Sequence, residues 1–549
     1  MAGYFASIPS YDAWEEKEGQ FISKTLMALS YRHRMAIMLT ASLVTAIEIS
    51  NRLSINVLLP DMQGNVGANS DEISWVITLY NLGFLCSMAL GSWMTRVIGA
   101  RKHLLYCIGL YSIGATGCFL SEHSLSSLLV SRLIMGFGGG AFLVRAVILG
   151  GVMFSAKERL KAFTAFYIVL GFFEITYPIA MGWIDDTFHW NYAFLLDFPF
   201  MTLGAVLIWK LLPPGFLFRR PAEKHVDYLG AMLVIASLSC LQVATSRGER
   251  DLWFESSWVG PTLLVAAVCF VVFLWWDSRI ENTAPVFHLR TVWRRGTLRT
   301  ALSIILIIGA LFGAGLYVAP QYLRFVQDYS ATQTGGFISC YTSGLILGLF
   351  FALWFLVPRF GPVFTVGAGL TLMVVTCALT VYLFTPTTPT IVIGPALFLQ
   401  GFSLGPPLLG ISRIVSGDAP PAELNDLSSS YFFVRQVGNT FGVTAATVLF
   451  DHRQTLHSER LLDVANRLDP VVRTTLEQYA NLIHRNAGGG SDPQLGALQL
   501  FQNNVITQSR LLAYVDIYFG LGAISLLAVI LLVLARPRPK HGPHHFLPW

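Results

Sequence analysis

Fourteen separate stretches of this chain are each long and apolar enough to cross a lipid bilayer, and that repetition limits the possible folds severely. A spanning helix needs about 20 mostly apolar residues. On that template the crossings fall near 35–59, 74–94, 104–121, 127–154, 162–183, 193–212, 228–246 and 259–276. Six more follow near 298–319, 335–357, 362–384, 391–415, 429–450 and 512–535. Backbone in hydrocarbon must satisfy its own hydrogen bonds, which helices do within one segment. The expected fold is therefore an all-α polytopic membrane protein with 14 transmembrane helices in a 6+2+6 arrangement. Composition agrees. Only 13% of the 549 residues are charged, against roughly 25% in a soluble globular protein.

Basic residues in the connections give the expected orientation. With the N-terminus cytoplasmic, all eight lysines (Lys17, Lys24, Lys102, Lys157, Lys161, Lys210, Lys224 and Lys540) fall on the cytoplasmic side or at its edge. So do Arg219–Arg220 and Arg294–Arg295, while the first three external connections carry no Lys or Arg. An even number of crossings with both ends cytoplasmic fits this pattern, and the inner membrane is the expected location. The N-terminal stretch is polar and partly acidic, unlike a cleavable signal peptide.

Four parts are expected. Residues 1–34 form a cytoplasmic N-terminal segment, and 35–212 a six-helix bundle. Residues 213–297 form a linker carrying two extra transmembrane helices between basic seams at 213–227 and 277–297. Residues 298–549 form a second six-helix bundle with a cytoplasmic tail. Within it, 451–511 is too polar to span yet has helical periodicity, with breaks at Pro470 and Gly488–Gly490, and reads as an external helical hairpin. Six-helix halves around a central path are a recurrent transporter design, with the substrate site near the midplane.

Several chemistries find no support. All seven cysteines lie in apolar stretches, so neither a disulfide framework nor a metal site is expected. The net charge of +5 points to no nucleic-acid partner. The glycines at Gly136, Gly138, Gly139 and Gly140 follow no strand and precede no Gly-Lys-Ser/Thr, so they do not form a phosphate loop; close helix packing is their expected use. No cofactor is expected, and an enzyme is the least favoured class.

Charges inside the apolar runs are costly, at least ~2.5–3.5 kcal/mol each on the insertion scale, and tend to be paired and functional. Glu48, Arg132, Arg145 and Glu174 are such residues. A desolvated carboxylate such as Glu48 near an arginine can alternate between protonated and paired states, since burial and the cation push its proton affinity in opposite directions. A static salt bridge locking two helices is the alternative. Glu174 stands one turn before Pro178, which removes a backbone donor and is expected to kink the helix. Three roles are open to it: binding a cationic substrate, carrying a proton, or pairing with Arg145. Arg145 reads either as that partner or as a contact for an anionic substrate group. Arg435 and Gln436 are expected to line the path in the C-terminal half. Asp197 and Asp516, near helix ends, read as capping or surface residues.

A series of local patterns then points to a family. INVLLPDMQGNVG (Ile55 to Gly67), SWVITLYNL (Ser74 to Leu82), GSWMTRVIGARK (Gly91 to Lys102) and SRLIMGFGGGA (Ser131 to Ala141) come in order. HWNYAFLLDFP (His189 to Pro199), YLRFVQDYSATQTG (Tyr322 to Gly335), SSYFFVRQVGNTFG (Ser429 to Gly442) and AYVDIYF (Ala513 to Phe519) follow. From span 1 to span 14 the chain resembles the fourteen-span drug:proton antiporters of the EmrB/QacA type, within the major facilitator superfamily. The resemblance implies proton transfer for Arg132 and a cytoplasmic gate at Gly91, Arg96, Gly99, Arg101 and Lys102. It also implies a substrate path past Asn51 and Arg52, and a periplasmic adaptor protein as partner. The departures are specific. The family's span 1 acid aligns with Asn51, its loop acid with Thr95, its span 4 glutamine with Met135, and the span 5 antiporter motif reads YPIAMG (Tyr177 to Gly182). Glu48 lies one turn before Asn51 and faces roughly the same way.

The expected function is proton-coupled export of amphipathic small molecules or drugs by alternating access, with the lipid bilayer, protons and the substrate as partners. Two alternatives stand beside it: a carrier for one metabolite, a siderophore or lipid, with different or no proton coupling, and a non-transporting sensor or assembly protein.

Overall fold

The computed structural model describes residues 29–68, 70–214, 227–248, 251–279, 296–416, 421–464, 470–486 and 493–534. Most of segment 1–34, most of both basic seams and the tail beyond 534 lie outside the described residues. With them go Lys17, Lys24, Lys224, Lys540 and the pairs Arg219–Arg220 and Arg294–Arg295.

Apolar runs give helices throughout. The first half comprises α1 (Tyr31–Val66), α2 (Ser70–Ile98), α3 (Ala100–Leu120), α4 (Leu125–Gly139), α5 (Phe142–Met153), α6 (Ala156–Thr187) and α7 (Asp197–Leu211), the last entered through a 3-10 turn at Trp190–Leu196. Next come α8 (Tyr228–Arg247) and α9 (Val259–Asp277). The second half comprises α10 (Gly296–Phe325), α11 (Ala331–Phe351), α12 (Val357–Leu383), α13 (Thr390–Ser416), α14 (Pro421–Val464), α15 (Pro470–Asn486) and α16 (Pro493–Leu534). Expected span 4 is thus two helices, α4 and α5, that meet at Gly140–Ala141.

Among the described residues, 12 helical stretches are long and apolar enough to cross a membrane. One of them, Ala331–Leu383, is 53 residues long and holds two expected crossings. Gly361 divides it: at φ 80° only glycine is unstrained, and Pro362 restarts the helix. A further crossing is expected within α14. Its buried or half-buried Ser430, Arg435, Gln436 and Thr440 lower its hydropathy, yet it packs between α10 and α16. A count of fourteen is compatible with this arrangement.

In the first half, α1 packs on α6 and α7, while α4 packs on both α2 and α3. In the second, α10 packs on α14, α13 on α11 and α12, and α16 on α12 and α14. Glycines set these approaches. A Cβ on Gly136 or Gly140 would collide with the α2 carbonyls of Tyr80 or Phe84, and one on Gly138 with the α3 backbone at Tyr111. Small residues at such seams let van der Waals contact hold helices that lipid does not push together. The added pair α8–α9 rests on α2 through an apolar cluster of Leu85, Ala89, Val234, Leu238 and Phe273.

The halves meet most extensively along α6 and α11. A Cβ on Gly335 would strike the Pro178 carbonyl, and one on Gly182 the Ala331 carbonyl. Pro178 has no N–H to offer the Glu174 carbonyl four residues back. Thr342 Oγ1 of α11 donates to that oxygen at 3.0 Å, and Ser339 Oγ donates to the Ile175 carbonyl at 2.6 Å. By secondary structure α6 runs as one helix through Pro178. The proline acts there on hydrogen bonding, leaving the Glu174 carbonyl for the other half to cap.

Segment 451–511 is helical on both sides of the expected breaks, and α15 packs on α16. The segment consists of the end of α14, the short helix α15 and the start of α16. His457 Nε2 lies 2.8 Å from Asp516 Oδ2 and Arg453 Nε lies 3.5 Å from it, joining the α14 extension to α16. Asp516 is therefore an interhelical contact.

Candidate functional site

The face where α1 begins is termed inner below, and the opposite face outer. Two cavities lie between the halves. The inner one, about 190 Å³, reaches from Arg52 to Arg159 and Arg413; the outer one, about 350 Å³, from Arg52 to Gln63 and Asp451. Arg52 is the residue that lines both.

Arg52 is held in that position by α1 itself. Its Nε donates to Glu48 Oε1 at 3.0 Å, one turn earlier, and its guanidinium lies 4.7 Å from the centre of the Phe84 ring. Glu48 is wholly buried. The Tyr80 hydroxyl also donates to Oε1, at 2.8 Å, whereas Glu48 Oε2 has no hydrogen-bond partner among the described residues. The close approach needs Gly139, since a Cβ there would stand 2.9 Å from both Glu48 Cγ and the Tyr80 hydroxyl oxygen. Arg132 is buried 4.3 Å above the Tyr80 ring, and its Nε donates to the Val76 carbonyl at 3.4 Å. Arg132 and Tyr80 both line the outer cavity.

The inner cavity is apolar and cationic. Phe163, Phe166, Tyr167, Phe312 and Phe432 supply rings; Arg52, Arg159, Arg413 and Arg435 supply charge, against Glu174 as the single lining carboxylate among the described residues. Glu174 Oε2 is buried without a hydrogen-bond partner among the described residues. Arg435 lies 5.4 Å from the Phe432 ring centre and 5.8 Å from that of Phe312.

Several of the expected site residues lie away from the cavities in this conformation. Arg145 is buried away from both cavities, with Nη2 3.5 Å from the point where a Cβ on Gly91 would sit. Residues 143, 147 and 151 turn the other face of α5 to the inner cavity, so that in this conformation Arg145 lines neither cavity and Glu174 lines the inner one without it. Asn51 and Gln436 are buried but line neither cavity. Around Gly91, Thr95 Oγ1 donates to the Gly91 carbonyl at 2.9 Å and lies 2.9 Å from His103 Nδ1. Gly99, at φ 82°, turns the chain into α3. Arg101 stacks 4.4 Å from the Trp209 ring centre on α7, within its own half, and Lys102 is exposed. The expected cytoplasmic gate across the halves is thus not made by Arg101 in this conformation. The Arg96 side chain lies outside the described residues.

At the outer face, polar side chains also join the two halves. Arg324 Nη2 of α10 lies 2.6 Å from Asp61 Oδ2 of α1. Asp186 of α6 accepts from the Thr332 backbone N–H at 2.9 Å, from Ser330 Oγ at 3.2 Å and from the Thr332 hydroxyl.

Sequence reasoning missed Tyr80, Arg159 and Arg413 as site residues, and it misread Asp197. Asp197 is almost wholly buried, and it accepts hydrogen bonds from Asn51 Nδ2 at 2.9 Å, from the Tyr111 hydroxyl at 3.2 Å and from the Tyr177 hydroxyl.

A sequence model described as Major Facilitator Superfamily matches residues 39–443. The chain belongs to that superfamily. It is a multi-pass membrane protein, and its relatives match along most of their length. It is 25% identical over 518 residues to the multidrug export protein EmrB of Haemophilus influenzae, covering 92% of this chain and 96% of that one. It is also 25% identical over 514 residues to the fatty acid resistance protein FarB of Neisseria gonorrhoeae, again with 92% and 96% coverage. Among solved structures the facilitator is similar in fold to the POT family transporter PepTSo, with a TM-score of 0.60 at 15% identity over 92% of this chain and 98% of that one. The proton:xylose symporter XylE gives 0.58 at 12% identity, covering 93% and 97%.

Proposed function

We propose that this facilitator is a secondary transporter of the inner membrane, with both termini cytoplasmic, that exports amphipathic organic molecules by alternating access in exchange for protons. The observation that carries the reading is the position of Arg52, which borders both cavities while bonded to the buried Glu48. Protonation of Glu48 releases Arg52 from its ion pair, and the freed cation is exposed to whatever occupies either cavity. Substrate and proton then compete through one side chain, which is the requirement for exchange. Arg132 and Tyr80, on the outer side of Glu48, connect it to the outer cavity. Relatives named for multidrug export and fatty acid resistance support export of apolar or amphipathic compounds.

The inner cavity adds a preference. Among the described residues, four arginines and one carboxylate line it beside aromatic rings, which favours a substrate with an apolar body and an anionic group. The same lining supports a second reading, a carrier dedicated to one anionic metabolite of lipid or siderophore type. Substrate range separates the two. The helical protrusion of α14, α15 and α16 exposes Leu462, Val471, Leu482 and Leu495, a surface suited to a periplasmic adaptor.

The test uses energised inside-out vesicles containing the full chain. Anilinonaphthalene sulfonate, a permanently anionic amphiphile, and tetraphenylphosphonium, a cationic one, are added separately while the pH gradient is followed. Collapse of the gradient by the anion, abolished in Glu48→Gln, is the expected result. Movement of the anion with no proton flux in the unmodified protein rejects exchange and leaves the dedicated carrier.

A further inference from the structure

Behind the Glu48 pair lies a second buried carboxylate with a different environment. Asp197, the first residue of α7, is 1% exposed. Its three hydrogen-bond donors come from three other helices: Asn51 of α1, Tyr111 of α3 and Tyr177 of α6. All three are neutral. Two charged groups face it, Arg132 of α4 and Glu48 of α1; the titratable groups in contact are the two tyrosines. Arg132 is committed to the Tyr80 ring and the Val76 carbonyl, and Asp197 has no ion pair among the described residues. A carboxylate taken out of water without a cation in contact is expensive, and neutral donors offset only part of that cost.

A second observation concerns the other protonation state. A carboxylic acid needs an acceptor for its own O–H. Asn51 Oδ1 is buried with no hydrogen-bond partner among the described residues, on the same amide whose Nδ2 donates to Asp197. Turning that amide over exchanges a donor for an acceptor at Asp197 without moving a helix. The cluster therefore satisfies the ionised acid in one amide orientation and the neutral acid in the other. An interhelical knot alone would not require a carboxylate: an amide of the same shape can accept from Tyr177 through its oxygen and donate from its NH2 to the Tyr111 hydroxyl oxygen.

We propose that Asp197 is a second proton-carrying site of the transport cycle, binding a proton from the outer cavity past Arg132 and Tyr80 and releasing it toward the inner side. The proposal rests on the reading of this protein as a proton-coupled exporter. The step is a simple protonation: a hydronium ion reaching the outer cavity gives up a proton and remains as water, one Asp197 oxygen gains the proton, and Asn51 turns to accept the new O–H. Because the donors sit on α1 and α6, which also carry Glu48 and Glu174, the change reaches both helices that bear the other acids.

The test uses the purified full chain in weak buffer with a pH indicator and anilinonaphthalene sulfonate as the probe. Three readouts are taken: probe binding, protons moved per probe bound, and, in liposomes, probe exchange without a gradient against uptake driven by one. For Asp197→Asn the expected result is unchanged binding and exchange, with loss of gradient-driven uptake and a smaller proton signal. A full proton signal in Asp197→Asn overturns the proposal, and so does loss of gradient-free exchange in a folded variant, which would make Asp197 scaffolding. Should Asp197→Asn not fold, the double variant Asn51→Asp, Asp197→Asn keeps one acid and one amide across the same contact. Proton coupling in that variant supports the assignment to this cluster, and a folded but uncoupled one overturns it. Absence of any proton signal in the unmodified protein rejects proton coupling itself, which separates that failure from one confined to Asp197.

Discussion

Arg52 Nε and Glu48 Oε1 lie 3.0 Å apart on the same helix, one turn from each other. A pair placed this way cannot lock two helices together. Its contribution to holding α1 against α2 comes through the Tyr80 hydroxyl, which donates to the same carboxylate oxygen, and through the ring contact of Arg52 with Phe84. The ion pair is thus free to open without separating helices.

Glu48→Gln keeps an oxygen for Tyr80 and removes the charge that holds Arg52. Stripping one partner from a buried pair costs about 3–5 kcal/mol. Here the cost is below that range, because Arg52 borders two cavities and retains partial hydration. The variant is expected to fold, to exchange substrate passively and to lose gradient-driven transport. Parallel counterflow and gradient-driven uptake in proteoliposomes check this; retention of both activities would remove Glu48 from the coupling machinery.

Arg324→Ala breaks the outer ion pair with Asp61. The Asp61 side chain is 46% exposed, so the pair is worth about 0–1 kcal/mol. The expected consequence is a shift of up to about fivefold toward states open at the outer face. The Asp186 contacts with Ser330 and Thr332 limit it. Spin-label distances between the outer ends of α1 and α10 give the populations. An unchanged distribution would show that the pair does not hold that face closed.

Arg435→Gln discriminates between substrate charges. A hydrogen bond to a charged group contributes about 1.5–3 kcal/mol, so anilinonaphthalene sulfonate should bind about 10–100-fold more weakly. Tetraphenylphosphonium binding should be unaffected or tighter. Equal weakening of both probes, measured by fluorescence and competition, would point to loss of shape rather than of charge.

Thr342→Val removes the donor that caps the Glu174 carbonyl and preserves side-chain shape. An orphaned buried acceptor costs about 1–3 kcal/mol. The thermal midpoint should fall for Thr342→Val and remain close to that of the unmodified protein for Thr342→Ser. Equal midpoints for the two variants would mean the carbonyl finds another donor.

Much of the architecture could be read from apolar run lengths, because a bilayer admits few solutions for such runs. The break at Gly361–Pro362 and the close packing around Gly136–Gly140 also follow from residue type. The site was only partly legible. Glu48, Glu174 and Arg132 attract notice as charges in apolar runs, but which face a helix turns to its neighbour depends on packing that one sequence does not specify. Arg145 looked equivalent to them and is turned away from both cavities. Asn51 read as the loss of an acid, whereas Asp197 stands 2.9 Å from it on another helix. That pairing spans 146 positions of the chain, beyond the reach of any local pattern.

The seam between α6 and α11 is built from glycines, a proline and backbone carbonyls capped by hydroxyls. Around Pro178, Gly182 and Gly335 backbone meets backbone, whereas nearer the inner side Tyr167 meets the Phe350 ring, so little rotamer freedom is spent at the glycine end when the two faces slide or tilt. Short hydroxyl donors can follow a carbonyl through a small rotation where an interlocked leucine would have to disengage. Such a surface behaves as a plain bearing: it stays in contact through the stroke, keeps water from short-circuiting the path along that side, and concentrates the motion at the far edges of the halves.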